Sequence, residues 1–242
     1  MIVFARSVLT VLCFLGFGIG GFFIGVALFP IAAVFGGKAA KVRLLRISWI
    51  FFEFVMKSLG LIRVRRIGVN PDQRGRVIVA NHPTLIDIVL LIASYKNSVC
   101  VVKGKLARNF FLRPIISQMF INLDSGGKEV IDESVEAIKQ GYNVIIFPEG
   151  TRSDSPNLKI HTGAARIALK ADCEVLPVKI SCNPLILGKT QKWYWCADRI
   201  VELTLEQLPA IKFKRISGLN DFRLSRSLTS EISGVLNLKG KN

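Results

Sequence analysis

At 242 residues, the chain is long enough for one domain of ordinary size plus an appendage. Its 33 Lys and Arg stand against 17 Asp and Glu, a net charge of +16, and its mean hydropathy is +0.42. So large a basic excess calls for an anionic partner, but the hydropathy excludes the polar composition of a free nucleic-acid-binding protein, and the two together point to a membrane surface. The five cysteines are scattered with no C-x-x-C pair, and two histidines are too few for a His-rich metal site. Core packing in a reducing compartment accounts for the cysteines.

From Ser7 to Gly37 there is no charged residue. Roughly 20 apolar residues cross a bilayer as a helix, so this run is long enough, and it is too long for the apolar region of a signal peptide. Several glycines and Pro30 interrupt it, which leaves two readings: a membrane span, or a bent hairpin held in one leaflet. Lys38, Lys41, Arg43 and Arg46 follow the run, against Arg6 before it, and this places the next domain on the cytoplasmic side of the membrane. Residues 39 to 60 fit an amphipathic helix in the interface or a core helix of the soluble part, ended by Gly60.

Beyond residue 60, strands alternate with helices. Strands are expected over 62–69, 76–80, 98–102, 119–123, 143–147, 175–181 and 200–205. Helices are expected over 83–93, in parts of 106–118, and over 128–140, 163–171 and 223–236. The alternation predicts an α/β fold, a mixed sheet flanked by helices. Residues 1–60 then form the membrane-associated helical segment and residues 61–242 the domain that carries chemistry.

Two polar stretches follow buried strands, where open α/β sheets bind ligands. The first is Asn81-His82-Pro83-Thr84-Leu85-Ile86-Asp87. A general base needs an acceptor that titrates near neutrality and a partner that fixes its tautomer, and a His–Asp pair supplies both. Inside one helix, five residues rotate roughly 140°. His82 must therefore lie on the turn before the helix for its ring to reach Asp87. The alternative is a capping histidine with an unrelated aspartate. The second stretch is Phe147-Pro148-Glu149-Gly150-Thr151-Arg152-Ser153. Its Arg152 offers a planar fork for phosphate, Glu149 an acceptor for a hydroxyl, and Gly150 close approach to the backbone.

These two stretches, with Lys103 after a strand, Gly163-Ala164-Ala165 opening a helix and Leu176-Pro177-Val178 in a later strand, resemble the glycerolipid acyltransferase family over roughly residues 75–185. The resemblance implies an O-acyltransferase of phospholipid biosynthesis. In that role His82 takes the proton of a lipid hydroxyl and Asp87 orients it. Lys103, Glu149, Gly150, Thr151 and Arg152 hold the acceptor, for which 1-acylglycerol-3-phosphate is the first choice. The partners implied are an acyl-carrier-protein or coenzyme A thioester and an anionic phospholipid membrane, with no metal, no cofactor and no nucleic acid. Where many members carry an acidic–Arg pair, this chain reads Asn122-Leu123-Asp124. Together with Lys103, Asn109-Phe110 and Trp193-Tyr194, that departure resembles the branch linked to aryl-polyene and related lipid pathways and implies another acceptor lipid. A non-catalytic lipid-binding protein of the same fold is the alternative from another class. His161 is expected to be structural or solvated. Trp193 to Trp195 suit either an interfacial anchor or ordinary packing.

Overall fold

The apolar amino terminus is helical but not one straight rod. In the computed structural model, which describes residues 2–152, 157–158, 160–213, 220–236 and 239–240, helix α1 (Ile2–Phe23) passes through one π-helical turn (Ile24–Leu28) into α2 (Phe29–Ser58). Pro30 lies in the first turn of α2 with no N–H to continue the ladder, and the Gly25 carbonyl accepts from the Gln118 side chain instead. Gly36 and Gly37 then leave helical geometry, Gly37 with φ +59°, and the chain bends.

Beyond the bend α2 runs back along α1. The Phe17 ring centroid lies 4.5 Å from that of Phe52, and Arg6 near the start of α1 donates to the carbonyls of Gly60 and Leu61 just past the end of α2. Arg6 also bonds the carbonyls of Ala197 and Arg199. The helical hairpin is thereby fastened to the rest of the molecule at one end. Further along, Gly18 and Gly21 pack against Phe111, Leu112 and Ile115, and Gly25 against Pro114.

The main sheet contains β1 (Ile62–Ile67), β2 (Val77–Ala80), β3 (Ser98–Val102), β4 (Ile121–Asn122), β5 (Asn143–Ile146), β7 (Val175–Asn183) and β8 (Val201–Gln207), while β6 (Asn157–Leu158) pairs separately with β9 (Lys239–Gly240). Its order is β1-β8-β7-β2-β5-β3-β4, with every pair parallel except β7–β8. The expected mixed α/β sheet is present. All four residues of β2 are fully buried, as a central parallel strand covered on both faces requires.

The remaining helices are α3 (Asp87–Ser94), α4 (Gly104–Ala107), α5 (Arg113–Met119), α6 (Gly127–Lys139), α7 (Gly163–Ala171) and α8 (Asp221–Val235). From β2 through α3 to β3 the chain crosses the sheet one way. Through α6 to β5 and α7 to β7 it crosses the other way. Right-handed crossovers therefore put α3 on one face and α6 and α7 on the opposite face. Contacts agree: α2 packs on α3, whereas α8 packs on α7 beside α6. The helical hairpin thus covers one face only.

Of the boundaries that differ from the sequence reading, two have a local cause in side-chain bonds. The helix expected from Pro83 starts at Asp87, because Thr84 bonds the Asp87 carboxylate and holds residues 84–86 in a turn. The strand expected over 119–123 shrinks to two residues, because Met119 closes α5 and the Asn122 side chain accepts from the Asp124 N–H to open a 3-10 turn.

A Cβ on Gly25 would fall 2.5 Å from Pro114 Cβ and 2.9 Å from its carbonyl carbon. Gly25→Ala is expected to destabilise the protein by about 1–3 kcal/mol through overpacking of hairpin on α5, read as a lowered midpoint of denaturant unfolding in detergent. An unchanged midpoint would show that this contact is slack.

Candidate active site

Strands β2 and β5 are parallel neighbours with Val79 paired to Ile146. Their carboxyl ends therefore release Asn81-His82 and Phe147-Glu149 side by side, and the two sequence motifs meet. Asn81 locks the first loop onto β7, its amide donating to the Ile180 carbonyl at 2.7 Å and accepting from the Ile180 N–H at 2.6 Å.

His82 Nδ1 lies 2.8 Å from Asp87 Oδ2. The turn before α3 folds the ring back onto the carboxylate, the geometry that a shared helix would forbid. The Asp87 side chain is wholly buried while that of His82 keeps 18% of its surface. Burial pushes the Asp87 carboxyl up, and the bonds it accepts from His82 and from the hydroxyl and N–H of Thr84 offset only part of that rise. An Asp87 carboxylate takes the Nδ1 proton as a hydrogen bond and leaves the lone pair on Nε2. The ring is also clamped from its face, with the Phe147 ring stacked on it at 4.1 Å and 18°.

Glu149 joins the same centre from below. Its Oε1 accepts from the His82 backbone N–H at 3.3 Å, and only 5% of the residue is exposed. Burial, with a smaller repulsion from Asp87, pushes its carboxyl from 4.5 up to about 7. Gly150 has φ +64°, and a Cβ there would meet the His161 ring at 3.3 Å. His161 is anchored by its N–H to the Pro148 carbonyl. It is thus a neighbour of the second motif, more than a solvated loop residue. Thr151 is half-buried beside it.

Arg152 Nη1 donates to the carbonyls of Leu187 at 2.8 Å and Gly188 at 3.1 Å. Lys103 is exposed at the end of β3, the strand beyond β5. It is on the right edge of the sheet, but no contact joins it to His82 or Arg152 among the described residues. Ser153 lies outside the described residues.

Three participants escaped the sequence reading. Thr84 carries two of the bonds to Asp87. Its spacing, Thr-x-x-Asp before an apolar run, is the capping-box pattern in which the acidic side chain reaches back to the cap's N–H, and that signal was present. Phe147 was visible only as part of a motif. Leu187 had no signal. This buried leucine has φ +54°, and its carbonyl accepts from both Leu85 N–H and Arg152, tying the two motif loops together.

The Acyltransferase family profile matches residues 61–181, half of the chain. The chain belongs to this family. It is similar to the 1-acyl-sn-glycerol-3-phosphate acyltransferase of Helicobacter pylori, 30% identical over 155 residues, which is 60% of this chain and 65% of that protein's length. It is also similar to the putative 1-acyl-sn-glycerol-3-phosphate acyltransferase acl-1 of Caenorhabditis elegans, 24% identical over 90% of this chain and 82% of the relative. The crystal structure of the 1-acyl-sn-glycerophosphate acyltransferase PlsC from Thermotoga maritima superposes with a TM-score of 0.72 over 98% of this chain and 96% of that one, at 19% identity, and so shares the fold.

Two measurements test the geometry of this candidate site. Thr84→Val removes the hydroxyl donor to the wholly buried Asp87, and it should cost about 1–3 kcal/mol of stability, whereas Thr84→Ser should cost much less; equal losses would mean that the methyl, not the hydroxyl, matters. A carboxyl raised in the folded state binds its proton more tightly there, so Glu149 weakens folding progressively as pH rises from about 4.5 to about 7. Glu149→Gln should therefore gain thermal stability relative to wild type at pH 8 compared with pH 4.5; a difference constant across that range would show that Glu149 titrates normally.

Proposed function

We propose that the protein is a membrane-bound O-acyltransferase that moves a fatty acyl group from a coenzyme A or acyl-carrier-protein thioester to the hydroxyl of 1-acylglycerol-3-phosphate, giving phosphatidate. The observation that carries this reading is the His82–Asp87 bond, with the carboxylate buried and the imidazole reachable. His82 Nε2 takes the proton of the acceptor hydroxyl as its oxygen attacks the thioester carbonyl. The tetrahedral adduct collapses, the carbon–sulfur bond breaks, and the imidazolium returns the proton to the departing thiolate. Asp87 holds the tautomer and balances the imidazolium charge. The nucleophile is the substrate itself.

Glu149, Gly150, Thr151 and Arg152 hold the acceptor in this reading, with Lys103 as a second cation. A guanidinium has five N–H donors; those on Nη1 hold the Leu187–Gly188 turn, and the Nε and Nη2 edge serves the phosphate. An apolar cavity of about 410 Å3, lined by Phe17, Trp49, Phe52, Ile86, Val89 and Ile116, begins at the residues between Thr84 and Asp87, where an acyl chain fits.

The hairpin supplies the membrane attachment. Only 17% of its most apolar window is buried, and Phe4, Leu12, Ile19, Val34 and Phe35 are all exposed, the last by 85%. Because α1 is bonded at Arg6 and packed along α5, a full crossing would drag the α/β part into hydrocarbon. The packing supports the second sequence reading, a hairpin lying in one leaflet, here on the cytoplasmic side. A different acceptor lipid is the second functional reading, supported by Leu123, which is 43% exposed on the 3-10 turn.

Purified protein given an acyl thioester and lysophosphatidate should release free thiol, and His82→Ala should lower that rate about 100- to 10,000-fold, the usual contribution of a general base. Wild-type rates in the variant would sink the assignment of His82.

A further inference from the structure

A second cavity, of about 630 Å3, lies on the face of the sheet opposite the hairpin, where α6, α7 and α8 meet. Lys128, Arg166 and Lys170 line it against one acidic side chain, Asp221, and Phe222 sits at its rim. Lys128, Arg166 and Lys170 are exposed, and Lys170 also pairs with Asp132. The Phe222 ring is 65% exposed, with the Arg226 guanidinium 5.2 Å from its centroid. Ile131 and Leu169 contribute apolar wall.

Such a site has the parts of a nucleotide pocket. Its volume lies in the range of about 300–1,000 Å3 typical of small-molecule sites. Arginine and lysine suit phosphates, and an exposed aromatic ring offers a stacking surface to a purine. The concavity favours a small ligand over the surface of a folded carrier protein. The site also lies next to the second motif. Thr162 lines it, and the preceding residue, His161, packs on Gly150, next to the Glu149 that bonds His82.

We propose that this cavity binds the phosphorylated adenosine end of a coenzyme A thioester, whose flexible pantetheine arm reaches around α7 to His82. The inference rests on the acyltransferase reading, and it commits the donor to coenzyme A. Substrates then approach from two sides: the lipid from the hairpin face and the water-soluble donor from the basic face.

Calorimetric titration of adenosine 3′,5′-bisphosphate into the full-length protein in detergent is expected to show binding. Arg166→Ala should weaken it about tenfold or more, the worth of one charge-assisted hydrogen bond, and Phe222→Ala by less. This arm needs no turnover, so absence of thiol release with every thioester would count against the acyltransferase reading, not against the pocket. In turnover, Arg166→Ala should raise KM for acyl-coenzyme A about tenfold more than KM for the corresponding acyl-pantetheine, which lacks the nucleotide. Equal changes for both donors, or bisphosphate binding insensitive to both substitutions, overturns the proposal. A raised KM for acyl-carrier protein with none for acyl-coenzyme A overturns it in favour of a protein-docking surface.

Discussion

The structure around the candidate site depends on one desolvated carboxyl group. Asp87 is wholly buried at the first turn of α3, and an ion taken from water survives there only when its oxygens are fully served. Thr84 serves it twice and His82 once. Each donor has a structural consequence. The Thr84 bonds make residues 84–86 a turn and delay the helix to Asp87. The His82 bond fixes which ring nitrogen is spent on orientation and which keeps its lone pair. A solvated aspartate at the same distance would hold the ring less firmly, because water competes for both partners.

The dryness that makes Asp87 effective comes from elsewhere in the chain. Ile86, Val89, Leu90 and Leu91 are buried on α3. Helix α2 lies across α3, and α1 is laid against α2 through Phe17, Trp49 and Phe52. The hairpin, with its exposed apolar side chains, is therefore also the outer wall of the cavity beside the His82–Asp87 turn. In the proposed reaction, this lets a lipid tail move from bilayer to cavity without crossing water, a transfer between two apolar surroundings that forfeits little of the hydrophobic free energy.

Legibility followed the range over which each signal acts. Parallel strands such as Val77–Ala80 and amphipathic helices such as α6 carry their periodicity in the chain itself, and those were readable. His82 and Asp87 were readable as a pair because their separation forced a turn between them. Thr84 was legible in principle through its capping-box spacing. Leu187 was not, because its left-handed backbone and the aim of its carbonyl arise from meeting Leu85 and Arg152, which lie far away in sequence. Nor was the bend at Gly36-Gly37 readable as a bend, since an apolar run rich in glycine is equally compatible with a flexed span. What fastens the hairpin is Arg6, a single residue that bonds four carbonyls from two distant places, Gly60–Leu61 and Ala197–Arg199.

The Arg152 contacts show how such a site is held ready. A leucine at φ +54° is uncommon and costs of order 1 kcal/mol or more. It persists here because its buried side chain and its doubly engaged carbonyl over-determine the conformation. The return is geometric. One carbonyl joins the loop after His82 to the guanidinium of the second motif, so the proposed base and the proposed phosphate ligand share one anchor. An acyl transfer in which the nucleophile is a bound hydroxyl, and not a side chain, has nothing else to set the distance between base and acceptor. In the proposed reaction, the shared Leu187 carbonyl sets that distance before the substrate arrives.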